Sequence, residues 1–188
     1  MASLGIAEIK VRRKLKIAIA STGNEVISIG DTPDISSLYD SNRYSLCAAL
    51  DRPDVEIINL GILEDSPEAL LDSFMQASQT ADIIISSGGV SVGDADHTKT
   101  ALINSGQVDF WKIAMRPGKP LMFGDINGQP FLGLPGNPVS ALVCAILFLS
   151  TAMARLSGLA AKHPAHINVV VEADLAKNGP RQDYIRAR

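Results

Sequence analysis

Apolar segments of strand length alternate with segments of helical length along most of this chain. Residues 16–20, 55–60 and 82–86 are predicted strands, and the unbroken Ile-Ala-Ile-Ala run of the first is typical of a strand covered on both faces. Residues 38–50 are predicted as a helix. Another helix is predicted to begin at Ser66-Pro67-Glu68, with serine as the cap and proline at the first helical position. This alternation predicts an α/β domain with a βα-repeating sheet.

Local signals continue through the second half of this domain. A short helix is predicted at about 97–104 and a fourth strand at 108–114. Asn127-Gly128, between apolar segments 121–124 and 130–133, is a strong hairpin signal. Asn137-Pro138 is predicted to cap a long apolar helix that reaches Leu156, with Gly158 as its stop.

Beyond residue 160 the character of the sequence changes. A β-branched run at 167–171 and a short strand at 184–185 flank a turn signal at residues 177–180, which predicts the opening hairpin of a β-rich unit. We therefore divide the chain into a lead-in at 1–14, a main domain at 15–160 and a partial C-terminal β-rich segment at 161–188.

Composition narrows the class of protein. With 46% hydrophobic and 20% charged residues, the chain has ample aliphatic material for a core, which excludes intrinsic disorder for its body. The net charge of −3, with no dominant basic block, argues against nucleic acid as the main partner, because phosphate neutralisation needs clustered Lys and Arg.

The compartment is predicted from three further features. Cys47 and Cys144 lie far apart in apolar stretches and are interpreted as buried thiols in a reducing compartment. Residues 1–9 do not resemble a secretory signal. The apolar stretch 139–149 is followed by polar residues before the roughly 20 residues needed to cross a bilayer, with Ser140 also inside it. We expect a soluble, cytoplasmic protein that is not inserted in a membrane.

Polar or glycine-rich segments follow each predicted strand of the βα series, at 21–25, 61–65, 87–96 and 116–119. Ligands of open α/β sheets bind beyond the carboxyl ends of the strands, so we expect these loops to converge on one edge. In the third loop, Gly88-Gly89 would let the backbone approach a ligand and turn N–H groups toward an anion. The alternative is a tight turn that needs positive φ. The loop matches neither a P-loop nor a dinucleotide fingerprint.

Charged residues at the same strand ends could bind a metal ion and an anionic ligand. Glu25, Asp65 and Asp96 could supply oxygen ligands for Mg²⁺, although each alone is more simply a solvated loop charge, and Asp96 is equally a helix cap. Compensating positive charge would come from Lys112, Arg116 and Lys119, whose alternative role is surface solubility. His97 is more simply a helix-start residue than a ligand.

Five motifs occur in a fixed order: Thr-Gly-Asn-Glu at 22–25, Tyr-Asp-Ser-Asn at 39–42, Ser-Ser-Gly-Gly-Val-Ser-Val-Gly at 86–93, Met-Arg-Pro-Gly-Lys-Pro at 115–120 and Gly-Leu-Pro-Gly-Asn-Pro-Val-Ser at 133–140. Together they resemble the molybdopterin molybdenumtransferases, the MoeA family, whose eukaryotic relative is the E domain of gephyrin. The resemblance covers about residues 11–158. It implies a three-layer αβα molybdopterin-binding domain with a mostly parallel sheet, followed by the start of a C-terminal β domain.

The resemblance also implies an activity and a site. The family inserts molybdate into adenylylated molybdopterin with a divalent metal, expected to be Mg²⁺, and releases AMP. Essential acidic and basic positions match Glu25, Asp65, Asp96, Lys112 and Arg116, with Asp96 and Glu25 expected at the metal; Arg116 replaces a lysine found in many members. The substrate positions match Ser87, Gly88, Gly89, Ser91, Lys119, Pro135, Asn137, Pro138 and Ser140, of which Lys119 and Ser140 are implicated in holding molybdate.

The chain departs from the family in its extent, because an N-terminal region and most of the C-terminal β domain have no counterpart in it. We therefore expect an excised piece or a reduced member that binds the pterin with weak activity or none. The family implies a dimer, and the molybdopterin adenylyltransferase is a possible partner. Two alternatives stay open: that adenylyltransferase itself, whose glycine loop resembles Thr-Gly-Gly-Thr-Gly, and a non-catalytic binding scaffold.

Overall fold

The computed structural model describes residues 1–89, 97–160, 165–172, 174–175 and 179–187. Within them the strands are β1 (Leu15–Thr22), β2 (Val26–Ile27), β3 (Leu38–Tyr39), β4 (Val55–Leu63), β5 (Ile83–Ser87), β6 (Gly106–Lys112), β7 (Met115–Arg116), β8 (Pro120–Ile126), β9 (Gln129–Leu134) and β10 (Gln182–Asp183). The helices are a 3₁₀ turn at Ala2–Leu4, α1 (Ser41–Ala49), α2 (Pro67–Ser78), α3 (His97–Ser105) and α4 (Pro138–Leu156).

The main sheet has six strands in the order β4-β1-β5-β9-β8-β6. β1 is parallel to both β4 and β5, and β5 is parallel to β9, whereas β8 is antiparallel to its neighbours β9 and β6. Five strands therefore share one direction and β8 alone runs against them. The predicted mostly parallel sheet is confirmed, and we call the edge at which β1, β5 and β9 end the carboxyl edge.

Helices cover both faces of this sheet, because side chains alternate along its strands. On β1, Ile17 and Ile19 face the cluster that includes α1 and α4, while Ala18 and Ala20 face the cluster built on α2 and α3. Phe74 of α2 packs edge-on against Phe131 of β9, with ring centroids 5.1 Å apart. The predicted three-layer αβα sandwich is confirmed.

Local signals placed most elements correctly. Ser66 caps α2 by accepting a bond from the Ala69 N–H, with Pro67 at the first position. Asn127, at φ 51°, and Gly128 form the turn between β8 and β9, as predicted. The first helix was predicted three residues too early: Leu38 and Tyr39 pair as a short strand with Val26–Ile27, and Asp40 caps the helix that follows.

Helix α4 is continuous over 19 residues, with a π-helical turn at Ala145–Leu149. Hydroxyl groups do not interrupt it, because Ser150 and Thr151 donate to the carbonyls four residues earlier, as Thr151 Oγ1 does to Leu147 O at 3.0 Å. By length and composition alone this helix could cross a membrane, contrary to our expectation. Its inner side chains, including Cys144 and Leu149, pack into the core beside the sheet.

The segment after α4 differs from its prediction. Residues 165–172 form neither helix nor strand, so the strand predicted at 167–171 is wrong; Ile167 and Val170 are exposed. The last strand lies at Gln182–Asp183, two residues before the predicted position, and it pairs in parallel with Met115–Arg116.

Candidate functional site

A cavity of about 410 Å³ opens at the carboxyl edge. It lies where the ends of β1, β5 and β9 meet the start of α1, which is where ligands of open α/β sheets bind. Its lining includes Ser21, Thr22, Glu25, Tyr39, Asp40, Asn42, Ser87, Gly88, Gly136, Asn137 and Pro138. Five of these were predicted from sequence: Glu25, Ser87, Gly88, Asn137 and Pro138.

The paired glycines allow two strand ends to approach each other closely. Gly88 has φ 90°, and a Cβ on it would lie 2.2 Å from the carbonyl oxygen of Thr22. Gly89 has φ 63°, and a Cβ there would lie 2.4 Å from the hydroxyl oxygens of both Thr22 and Thr98. Only glycine fits these positions without a shift of the neighbouring atoms, so the predicted need for positive φ is confirmed, while the approach of this backbone to a ligand stays a prediction.

Asn42 joins three loops of the cavity. Its side-chain amide donates to Ser87 Oγ and to the carbonyl oxygen of Gly136, both at 2.8 Å. Ser87 ends β5, and Gly136 lies in the loop between β9 and α4. The side chain therefore holds the glycine loop and the Pro-Gly-Asn-Pro loop at a constant distance from α1.

A buried ion pair fixes the turn that carries Asn42. Asp40, 3% exposed, accepts bonds from Ser21 Oγ at 2.9 Å and from Arg43 Nε at 2.7 Å. Arg43 in turn donates from Nη1 to Asn59 Oδ1 at 3.0 Å. Because an unpaired charge at this depth would be costly, the turn, β1 and β4 are held in one arrangement.

Helix α4 begins at the cavity. Asn137 caps it by accepting bonds from the Ser140 N–H at 3.1 Å and the Ser140 hydroxyl at 3.3 Å, and Pro138 is the first helical residue. The N-terminal end of a helix attracts anions, because its first N–H groups and the macrodipole point outward there. Ser140 itself is buried against its own cap, and Pro135 is also buried.

Acidic residues interact on the β1–β4 side of the cavity. Burial raises the pKa of the Asp65 carboxyl, His97 lowers that pKa, and the negative charge of Glu25 raises it again. One Asp65 oxygen, Oδ1, is buried and has no hydrogen-bond partner among the described residues. The structure thus brings Glu25 and His97 within electrostatic reach of Asp65. Asp96 and Ser91, both predicted site residues, lie outside the described residues.

The predicted basic residues lie farther along the sheet. Lys112 places its ammonium group 4.7 Å from the centre of the Trp111 ring on β6, which β8 separates from β9. Arg116 pairs with the carboxylate of Asp183, and Lys119 is exposed. Of the predicted loops, residues 21–25 and 87–89 contribute to the cavity, but it is not lined by residues 61–65 or by the loop at 116–119. The loop at 116–119 packs against α4 instead: a Cβ on Gly118 would lie 2.6 Å from Cys144 Sγ.

Sequence reasoning missed Asp40 and Asn42 as site residues, although it singled out the motif that contains them. The helix predicted from residue 38 placed both inside its first turns, where polar side chains suggest only a solvated surface. The available signal was the preference of Asp for the N-cap position, which would have started the helix at Ser41.

Comparison with known proteins gives concordant results. Residues 18–155 match the family model described as "Probable molybdopterin binding domain". The chain is 43% identical over 187 residues to a molybdopterin molybdenumtransferase of Haemophilus influenzae, covering 99% of this chain and 46% of that protein. It is 38% identical over 183 residues to the Nostoc sp. molybdopterin molybdenumtransferase, covering 95% of this chain and 42% of that protein.

A solved structure agrees with these sequence matches. The crystal structure of a molybdopterin biosynthesis MoeA protein from Pyrococcus horikoshii superposes with a TM-score of 0.73 at 36% identity, covering 84% of this chain and 39% of that one. The chain thus spans about half the length, or slightly less, of the curated relatives it matches.

Proposed function

The chain belongs to the molybdopterin-binding domain family, and from that membership we propose that it binds molybdopterin at the carboxyl-edge cavity during molybdenum cofactor biosynthesis. At the finer level, we propose the reaction of the transferases it resembles: insertion of molybdate into adenylylated molybdopterin with release of AMP. The chain alone is expected to bind the pterin and to turn over poorly, because it spans only about half the length of its relatives.

One observation carries the proposal: the cavity combines a glycine-lined backbone at Gly88 with the start of helix α4 at Asn137. The helix start favours an anionic ligand, because the helix dipole supplies positive potential without a charged side chain, and Gly88 carries no side chain that would keep the ligand from the backbone. A pterin phosphate is such a ligand. The apolar parts of the lining, such as Val26, Leu38 and Pro138, would contact its ring system.

We propose a divalent-cation site at Asp65 and Glu25; among the described residues no group of three or more His, Cys, Asp or Glu could hold a metal, so the site needs a ligand from outside them. Asp65 Oδ1 is a buried oxygen without a partner among the described residues. The negative charge of Glu25 is close enough to raise the pKa of Asp65. Mg²⁺ takes one or two carboxylates and completes its shell with water and ligand phosphates. Glu25 and Asp65, together with Asp96, which lies outside the described residues, would hold it. When bound, Mg²⁺ would neutralise the charge of the phosphoanhydride that is cleaved.

The chain's own basic residues are proposed to bind the oxyanions. Arg116 offers a planar guanidinium suited to a bidentate contact, and Lys119 lies on the same loop, which the bond from Ile113 N to Lys119 O closes at 3.0 Å. Lys112, held over Trp111, adds positive charge at the neighbouring strand end. In the complete enzyme, these groups would hold molybdate near the pterin phosphate while AMP leaves.

Calorimetric titration of the chain with molybdopterin, molybdate and Mg²⁺ tests the proposal. We expect heat from molybdopterin that increases with Mg²⁺, and a lower affinity in Glu25→Gln. The matched control is Glu56→Gln, which removes an exposed carboxylate at the opposite end of the sheet. Absence of ligand-dependent heat would favour a scaffold, and a requirement for ATP would favour the adenylyltransferase.

Release of AMP is tested in a full-length relative, into which the substitution is introduced. There, replacing the aspartate equivalent to Asp96 with asparagine is expected to abolish Mg²⁺-dependent cleavage of adenylylated molybdopterin and to leave the fold intact. Unchanged Mg²⁺ dependence would exclude that residue from the metal site.

A second copy of the chain is the partner we propose for the outer face of α4. Leu142 and Ile146 are exposed there, beside a groove of about 330 Å³ between α1 and α4. Residues 138–154 of α4 contain no charged side chain, so two copies can meet on this part of the helix, before Arg155, without opposing like charges. Sedimentation should show a dimer, and Ile146→Lys should shift it to monomer. A monomeric wild type would exclude this interface.

A further inference from the structure

The last described strand of the chain lies against the basic loop. β10 pairs in parallel with β7, so that Gln182 is opposite Met115 and Asp183 is opposite Arg116. Two backbone bonds hold it there, from Gln182 N to Ala114 O at 2.8 Å and from Tyr184 N to Arg116 O at 2.7 Å. The residue between these two anchors is Asp183, so its backbone is fixed on both sides.

The side chains of this pair differ strongly in exposure. The Asp183 side chain is 6% exposed, whereas that of Arg116 is 62% exposed, and one guanidinium nitrogen, Nη2, donates to Asp183 Oδ2. A nearly buried carboxylate with a fixed backbone is a rigid acceptor. Because Nη2 is the only guanidinium nitrogen of Arg116 bonded within the described part of the chain, the others can donate to a ligand.

A carboxylate beside an anion-binding arginine can act in two opposite ways. It can reduce the positive charge that attracts the anion, or it can hold the guanidinium in place before the anion arrives. Arginine has long, flexible side-chain torsions, and ordering them at the moment of binding lowers affinity. A fixed, nearly buried partner that occupies one donor removes much of that entropy cost. The remaining guanidinium N–H groups stay available to the anion.

We propose that Asp183 is a positioning residue that orients Arg116 for binding of an oxyanion, so that the C-terminal strand forms part of the anion site. This inference rests on the proposed function, because it takes Arg116 as an oxyanion-binding group. It assigns a role to a residue 67 positions away from Arg116 in the sequence.

Calorimetric titration with molybdate separates positioning from neutralisation, because the two effects have opposite signs. Asp183→Asn removes a negative charge, yet we expect a five- to tenfold weaker affinity. Asp183→Glu should restore the affinity to within about twofold of the wild type. The matched control, Glu172→Gln, removes one exposed carboxylate from the same segment and should change the affinity by less than twofold. Unchanged or tighter binding by Asp183→Asn would overturn the proposal.

A double-mutant cycle excludes a merely structural effect. In an Arg116→Lys background, Asp183→Asn should cause no further loss of affinity, since the guanidinium that it orients is gone. A full second loss would mean that Asp183 supports the loop in general. Melting temperatures of all variants verify that each is folded.

A ligand-free measurement separates this inference from the proposed function. The Nε–H order parameter of Arg116, measured by NMR relaxation, should be high in the wild type and fall in Asp183→Asn. If the wild type binds no molybdate, the proposed oxyanion site is wrong, whatever the order parameter. If molybdate binds but the order parameter of Arg116 is equally low in both proteins, Asp183 does not position it.

Discussion

Replacing Gly88 with alanine tests how rigidly the edge of the cavity is built. The added Cβ would lie 2.2 Å from the carbonyl oxygen of Thr22, which belongs to backbone and cannot rotate away. Gly88 is also tied on its other side, because its N–H donates to Leu134 O at 3.1 Å. The loop therefore cannot move away from β1 without losing a bond to the end of β9.

The expected loss of stability has two parts. A left-handed φ of 90° costs an alanine about 1–2 kcal/mol. The overlap with Thr22 requires a shift of about 1 Å in packed surroundings, and overpacking of this kind typically costs about 1–3 kcal/mol. We expect the free energy of unfolding to fall by about 2–5 kcal/mol in total.

Urea unfolding followed by the fluorescence of the single tryptophan, Trp111, measures this loss. The matched control is Gly128→Ala, which has a similar φ of 78° but nothing within 4 Å of its Cβ, so only the conformational part of about 1–2 kcal/mol applies. Equal losses in the two variants would refute the reasoning, because they would mean that the loop at Gly88 relaxes freely and that the close approach to β1 is not maintained.

Three further outcomes follow from the buried polar groups. Asp40→Ala should lower the free energy of unfolding in urea by about 3–5 kcal/mol, because it leaves Arg43 buried without its partner. Burial raises the Asp65 pKa, so the ionised carboxylate destabilises the fold above that pKa and not below the unfolded value. Asp65→Asn should therefore raise the free energy of unfolding at pH 7, by less than about 1 kcal/mol, but not at pH 3. Burial raises the pKa of Cys144 to about 11, so a thiol reagent at pH 8 should modify Cys47 first and Cys144 only after denaturation.

Much of the fold could be predicted because its signals are local. The Ser66-Pro67 and Asn137-Pro138 caps, the Asn127-Gly128 turn and the apolar strands each depend on a few adjacent residues. The sheet order could not be predicted this way. β9 lies beside β5 and places the Pro-Gly-Asn-Pro loop at the cavity, and that pairing depends on contacts between residues far apart in sequence.

The candidate site, like the fold, was predicted only where the signal is local. Gly88 and Asn137 were identified because glycine pairs and helix caps have a definite backbone requirement. The role of Asn42 could not be seen, because it depends on the position of two loops that only the folded sheet brings together. The partner of Arg116 was missed for the same reason: nothing near Asp183 in the sequence indicates where β10 pairs.

The hydrogen bonds of Asn42 also have a consequence for biosynthesis on the ribosome. They connect it to residues 45 and 94 positions later in the chain. At about 5–20 residues per second, some 5–20 s separate the synthesis of Asn42 from that of Gly136. During that interval the nascent chain can form β1 and, after residue 87 has been made, β5, but it cannot form a complete cavity. A ligand present in the cell therefore stabilises only the finished domain, and the capacity to bind it appears late and in a single step.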